Sequence, residues 1–129
     1  LETKVMHRTM EATLIKIADY LNKRNVPLVF VLAPSFIQVN DKLWKEKISN
    51  RSKEPQHLKP SLPNKKLMEF SRKNKFLMID LLPIVKSKSS KGDEFYNQKE
   101  QHWNAEGNRM VSDVLMDYLK NNNLISWDH

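Results

Sequence analysis

The sequence contains no cysteine and only two glycines among its 129 residues. Without cysteine it has no disulfide framework, no thiolate nucleophile and no cysteine-ligated zinc site. No apolar run approaches the roughly 20 residues that a transmembrane helix needs, so we expect no transmembrane segment. No pair of histidines has the helical spacing of a zinc site, and the sequence therefore predicts neither a metal ion nor a cofactor.

The N-terminus, Leu1-Glu2-Thr3-Lys4, has neither an initiator methionine nor a signal-peptide pattern. We therefore expect that residues 1–129 are a single truncated domain from a longer protein, since single domains usually hold about 50 to 250 residues. These features leave the compartment open between cytoplasmic and extracytoplasmic.

The composition is that of a globular protein with an excess of positive charge. Hydrophobic residues make up 40% and charged residues 29% of the chain. Lysine and arginine outnumber the acids by 22 to 15, which gives a net charge of +7 and raises the hypothesis of binding to nucleic acid or another anionic surface. The basic residues are dispersed with acids between them, so solvated faces explain them better, and we expect no nucleic-acid partner.

Hydrophobic periodicity predicts helix, strand, helix, strand and helix in that order. Apolar residues at spacings of three and four predict helices over residues 2–25, for a short stretch after Pro63, and over residues 104–120. Continuous apolar runs at 28–33 and 76–80 are typical of strands that are buried on both faces. Strands that alternate with helices predict an α/β fold with a parallel sheet.

A thin sheet and a long connection between its strands stand out in this pattern. With two strands only, the strand at 28–33 would keep an unpaired apolar edge, and we predict that the chain can form a homodimer through it. The segment 34–62 is rich in proline and charge, and we interpret it as a long loop, on the active-site side or mobile, with a helical turn around residues 41–48.

Residues with a catalytic pattern lie just before the last predicted helix. His102 precedes Asn104, whose side-chain oxygen is suited to cap that helix. Gly107, in the first turn, costs helix stability and therefore predicts close packing against a neighbouring backbone. Such a turn would fix His102 as a general base requires, and Glu100 is placed to orient one ring nitrogen, as the acid of a Ser-His-acid triad does. A plain surface pair is the alternative interpretation of Glu100 and His102.

The string Glu100-Gln101-His102-Trp103-Asn104-Ala105-Glu106-Gly107 resembles the last motif of SGNH (GDSL-type) hydrolases. In that motif an acid precedes the catalytic histidine, which begins a His-x-Asn-x-x-Gly pattern. The strand at 28–33 with the following Pro34-Ser35, and residues 76–83 with an Asp-Leu-x-Pro turn, resemble the fourth and fifth strands of the bacterial exopolysaccharide-associated branch. The resemblance implies a partial flavodoxin-like, three-layer α/β/α domain of which this chain holds the second half. It also implies that His102 is the catalytic base.

Two features depart from the family pattern. Many members have an aspartate three residues before the histidine, where this chain has Lys99, while others have an acid two residues before it, as Glu100 is. The family's Gly-Asp-Ser nucleophile and its oxyanion-hole residues lie in the first half of the domain, and nothing here matches them. Ser35 follows a strand but lacks a Gly-x-Ser-x-Gly elbow, so we interpret it as a loop or cap residue. We therefore expect the isolated chain to be inactive.

Three other side chains are of types that occur in such sites. Trp44 either lines a substrate cleft or anchors the long loop. Trp103 either contacts substrate or wedges the turn against the core. His57, in the proline-rich stretch, is expected to be exposed rather than to bind a metal ion.

Two functional hypotheses are compatible with these features. In the first, the chain is the C-terminal part of a serine esterase, lipase-like hydrolase or O-acetyltransferase that acts on a small-molecule or carbohydrate ester, with His102 as general base. In the second, it is a noncatalytic α/β module that binds a polyanion or a protein partner through its basic loops. A Gly-Asp-Ser upstream in the gene would favour the enzyme.

Overall fold

The computed structural model describes residues 2–49, 58–89, 91–97 and 99–125. Within these residues the elements are, in chain order, α1 (Glu2–Asn22), β1 (Val29–Leu32), α2 (Phe36–Val39), α3 (Asp41–Ser49), α4 (Leu62–Asn74), β2 (Leu77–Asp80), α5 (Leu81–Lys88) and α6 (Ala105–Asn121). The three longest helices and both strands lie where the sequence predicts them. No helix in the described part of the chain is long and apolar enough to cross a membrane.

The two strands form a parallel pair, in which Val29 lies opposite Leu77 and the register continues through the next three positions of each strand. Each strand is preceded by a residue with left-handed backbone, Asn25 before β1 and Lys75 before β2, with φ angles of 54° and 58°. Such residues end a helix and redirect the chain. A parallel pair with helices in the connection confirms the predicted α/β fold class.

Helices cover both faces of the sheet. On one face Ile79 packs in a core with Met110 of α6. Successive side chains of a strand point to opposite faces of the sheet. Phe30 is in register with Met78, the neighbour of Ile79 in β2, so Phe30 lies on the face opposite to Ile79. The Phe30 ring lies 5.6 Å from that of Phe76, which in turn lies 5.7 Å from the ring of Phe70 in α4. The sheet therefore lies between two layers of helix.

The first half of the segment 34–62 is helical, which corrects the prediction of a long loop there. Gln38 Oε1 accepts a hydrogen bond of 3.0 Å from the Ser35 backbone N–H, which satisfies a donor at the start of α2. Asn40 Oδ1 accepts one of 3.0 Å from the Leu43 N–H and caps α3. The helical turn expected in this segment is therefore part of a helix of nine residues.

The outer edge of β1 is the surface through which we predict dimerisation. Within the described residues β1 pairs with β2 alone, and Val31 is 39% exposed. Since unpaired apolar edges readily accept another strand, we expect the chain to dimerise as its concentration rises. Light scattering after size exclusion should show the mass moving towards that of a dimer, and Val31→Lys should prevent this. Val26→Lys, at an exposed valine outside the strand, is the control. A monomer at every concentration would contradict the prediction.

Candidate functional site

His102 lies in a short turn that is closed by an isolated antiparallel bridge between Tyr96 and Trp103. The His102 carbonyl accepts a hydrogen bond of 2.7 Å from the Asn97 N–H, and the Asn97 carbonyl accepts one of 2.7 Å from the Gln101 N–H. Gln101 has a φ of 58°, a left-handed conformation that lets the chain reverse within few residues. The main chain of His102 is therefore held in place by its own turn.

Asn104 and Gly107 join this turn to α6. Asn104 Oδ1 accepts a hydrogen bond of 2.9 Å from the Gly107 N–H, and its Nδ2 donates one of 2.9 Å to the Glu94 carbonyl. A β-carbon at Gly107 would overlap the Phe95 carbonyl oxygen, so the helix packs directly on that backbone. The cap and the close approach that the sequence predicts are both present, and they lock the first turn of α6 to the chain before the turn.

The side chains of His102 and Glu100 are both exposed. Among the described residues, no hydrogen bond joins the His102 ring to a carboxylate. The imidazole is therefore open to a partner from outside these residues. Catalytic hydrogen bonds often become short only in the complex with substrate, so the orienting role of Glu100 stays a prediction.

An aromatic cluster packs behind the turn. The half-buried Trp103 ring meets the buried Tyr96 ring edge-on at 6.2 Å, and Tyr96 lies 5.4 Å from the ring of Phe36 in α2. The Tyr96 hydroxyl donates a hydrogen bond of 2.7 Å to the Pro34 carbonyl. Burial raises the pKa of the Tyr96 phenol above its ordinary value, with the Trp103 side chain acting in the opposite sense, so the hydroxyl stays protonated and can donate. Trp103 thus wedges the turn against the core, which is one of its two predicted roles.

The geometry is that of an exposed histidine before a capped helix, α6, in an α/β domain. A family model described as the SGNH hydrolase-like domain of the acetyltransferase AlgX matches residues 2–127. The chain belongs to this family. No curated protein and no solved structure matches it significantly. The resemblance to the exopolysaccharide-associated branch of SGNH hydrolases is thereby confirmed.

In this SGNH hydrolase-like domain a polar network lies at the carboxyl ends of the strands, and sequence reasoning missed it. Gln38 Nε2 donates a hydrogen bond of 3.1 Å to Asn64 Oδ1, and Asn64 Nδ2 donates one of 2.6 Å to Asp80 Oδ1. Asp80 Oδ1 also accepts one of 3.0 Å from the Leu82 N–H and caps α5. Ligands of open α/β sheets bind at this edge. The buried Asn64 therefore stiffens the edge against which the His102 turn packs.

Of the remaining candidates in the SGNH hydrolase-like domain, the structure describes Trp44 and Ser35. Trp44 is half-buried, and its Nε1 donates a hydrogen bond of 3.2 Å to the Leu58 carbonyl, so it anchors the chain after α3. Ser35 is exposed at the start of α2, as a cap residue would be. His57 lies outside the described residues. Within those residues no cluster of histidine and acidic side chains suits a metal ion.

Proposed function

We propose that this chain supplies the general base of a serine esterase or O-acetyltransferase acting on acyl or acetyl esters. The observation that carries this function is the open His102 ring on a turn whose main chain is fixed by hydrogen bonds. A base on such a turn can reach a hydroxyl that comes from outside these residues. Membership of a family of hydrolase-like domains that includes an acetyltransferase supports this class of chemistry.

We infer that the serine hydroxyl for this reaction comes from outside these 129 residues, because no serine here lies in a Gly-Asp-Ser sequence. One ring nitrogen of His102 takes the serine proton while the serine oxygen bonds to the ester carbonyl carbon. The ring then returns the proton to the leaving alkoxide as the ester C–O bond breaks, which leaves an acyl-serine. Water or a sugar hydroxyl attacks in the second half, again with His102 as base. Glu100 would orient the other nitrogen.

We extend the proposal to an acylated carbohydrate or a small ester as substrate. Trp103 follows His102 directly and keeps part of its indole exposed, so it can contact a substrate that reaches the base. Trp44 is the second aromatic candidate for the cleft. Hydrolysis and transfer use the same residues, and the acceptor that occupies the site after acylation decides between them.

A fluorophosphonate, which reacts with serines activated by a base, tests this function on the complete protein. We expect the native protein to be labelled and the His102→Gln variant to lose nearly all labelling, because the serine has lost its base. His7→Gln in α1 is the matched control and should label as the native protein does. The 129-residue chain alone should remain unlabelled, since it contains no Gly-Asp-Ser.

Full labelling of the His102→Gln variant would argue against a catalytic histidine at this position. Failure of the native protein to label would also argue against a catalytic His102. It would favour a noncatalytic module that binds a polyanion or a protein partner.

A further inference from the structure

Tyr96 joins the His102 turn to the sheet. It is 3% exposed, and its hydroxyl donates a hydrogen bond of 2.7 Å to the carbonyl of Pro34, 62 positions earlier in the chain. Pro34 is buried and follows β1 closely. Within the described part of the chain no backbone N–H donates to this carbonyl, so the Tyr96 hydroxyl is its partner.

Tyr96 also lies at the start of the His102 turn. Tyr96 is bridged to Trp103, and its neighbour Asn97 donates the hydrogen bond of 2.7 Å to the His102 carbonyl. Because these contacts are short and consecutive, a shift of Tyr96 along the sheet edge would be transmitted to His102.

We propose that Tyr96 is a positioning residue: its hydrogen bond to Pro34 sets where the His102 turn lies at the carboxyl edge of the sheet. This role rests on the proposed function, since a catalytic His102 needs such placement. The ring contacts of Tyr96 with Phe36 and Trp103 allow a wider range of distances and angles than a hydrogen bond does, so alone they would let the turn shift. A hydrogen bond has narrow limits of distance and angle and therefore fixes the position.

Tyr96→Phe removes the hydroxyl and keeps the ring contacts. Amide hydrogen exchange of the 129-residue chain, followed by NMR, should become about tenfold faster at Asn97 and Asn104, whose N–H groups close the turn, and stay unchanged at Val114 in the middle of α6. Tyr118→Phe in α6 is the matched control. That tyrosine is half-buried against the same core, and its hydroxyl has no hydrogen bond among the described residues.

Two results of the exchange experiment would overturn the role of Tyr96. Equal acceleration at the turn and in the middle of α6 would mean that the variant only destabilises the domain. Unchanged exchange at the turn would mean that the hydroxyl does not hold it.

In the complete protein, the Tyr96→Phe variant should lose about tenfold in kcat for ester cleavage with KM unchanged, because proton transfer needs a placed base and substrate binding does not. An unchanged kcat would overturn the positioning role. If instead His102→Gln keeps full activity, the proposed function fails, while the exchange experiment still decides whether Tyr96 fixes the turn.

Discussion

Replacing His102 with glutamine in the complete protein should lower kcat/KM for ester cleavage by about a thousandfold or more. Loss of the base from a serine triad has at least this effect in hydrolases of known mechanism. A thousandfold corresponds to about 4 kcal/mol of transition-state stabilisation. The loss should lie in kcat rather than in KM, because the base acts as the serine proton moves and contributes little to substrate binding.

The same variant should fold as the native protein does. The His102 side chain is exposed and has no hydrogen bond among the described residues, and its carbonyl keeps the bond from Asn97 whatever side chain is present. Surface substitutions of this kind usually change stability by no more than about 0.5 kcal/mol. Steady-state rates with p-nitrophenyl acetate and thermal melting by circular dichroism measure the two effects. Native-like rates would contradict a catalytic role for His102.

Glu100→Gln in the same assay identifies the acid. We expect a smaller loss than for His102→Gln, since the imidazole that takes the serine proton is still present, while glutamine removes the charge and replaces one acceptor oxygen with an N–H donor. A loss of more than about tenfold would assign Glu100 the orienting role that acids have in serine triads. A rate within a factor of about two of the native rate would mean that a group other than Glu100 orients His102.

Both strands were predictable because a short, continuous apolar run has few alternatives to a buried strand. The predicted runs 28–33 and 76–80 contain β1 and β2, each with at most one extra residue at either end. The final helix was equally clear, since its apolar residues keep a helical spacing and a cap residue precedes it.

The sequence predicted only a helical turn where α3 lies and did not predict α2 or α5, because the local signals of these short helices are weak or ambiguous. In α3 the apolar residues Leu43, Trp44 and Ile48 are spread among lysines, and the cap at Asn40 was the available signal. In α5 a proline two positions after the first residue suggested a turn. Proline is tolerated there because the first N–H groups of a helix have no partner within the helix.

The contacts of the site are likewise of two kinds, those between residues close in sequence and those between residues far apart. The cap at Asn104 and the close packing of Gly107 follow from neighbouring residues and could be predicted. The hydrogen bond from Tyr96 to Pro34 spans 62 positions and that from Asn64 to Asp80 spans 16, so both depend on how the fold brings the elements together. No spacing in the sequence identifies such pairs.

Gly107→Ala should destabilise the domain by about 1 to 3 kcal/mol, the range for an overpacked site, although alanine is the better helix former. In an open helix this change gains about 1 kcal/mol. Here the new β-carbon would overlap the Phe95 carbonyl oxygen and lie 3.2 Å from the Trp103 β-carbon. The Phe95 carbonyl is itself held by the Asn104 N–H at 3.0 Å, so it cannot move without loosening the start of α6.

Asn108→Ala is the matched control, because Asn108 follows Gly107 in α6, is exposed and has no side-chain hydrogen bond among the described residues. It should be neutral or stabilise the helix by up to about 0.7 kcal/mol. Urea unfolding followed by circular dichroism compares the two variants at equal m-values. If Gly107→Ala were as stable as Asn108→Ala, the helix would not pack directly on the Phe95 backbone. The turn before α6 would then lack the contact that fixes His102 from the helix side.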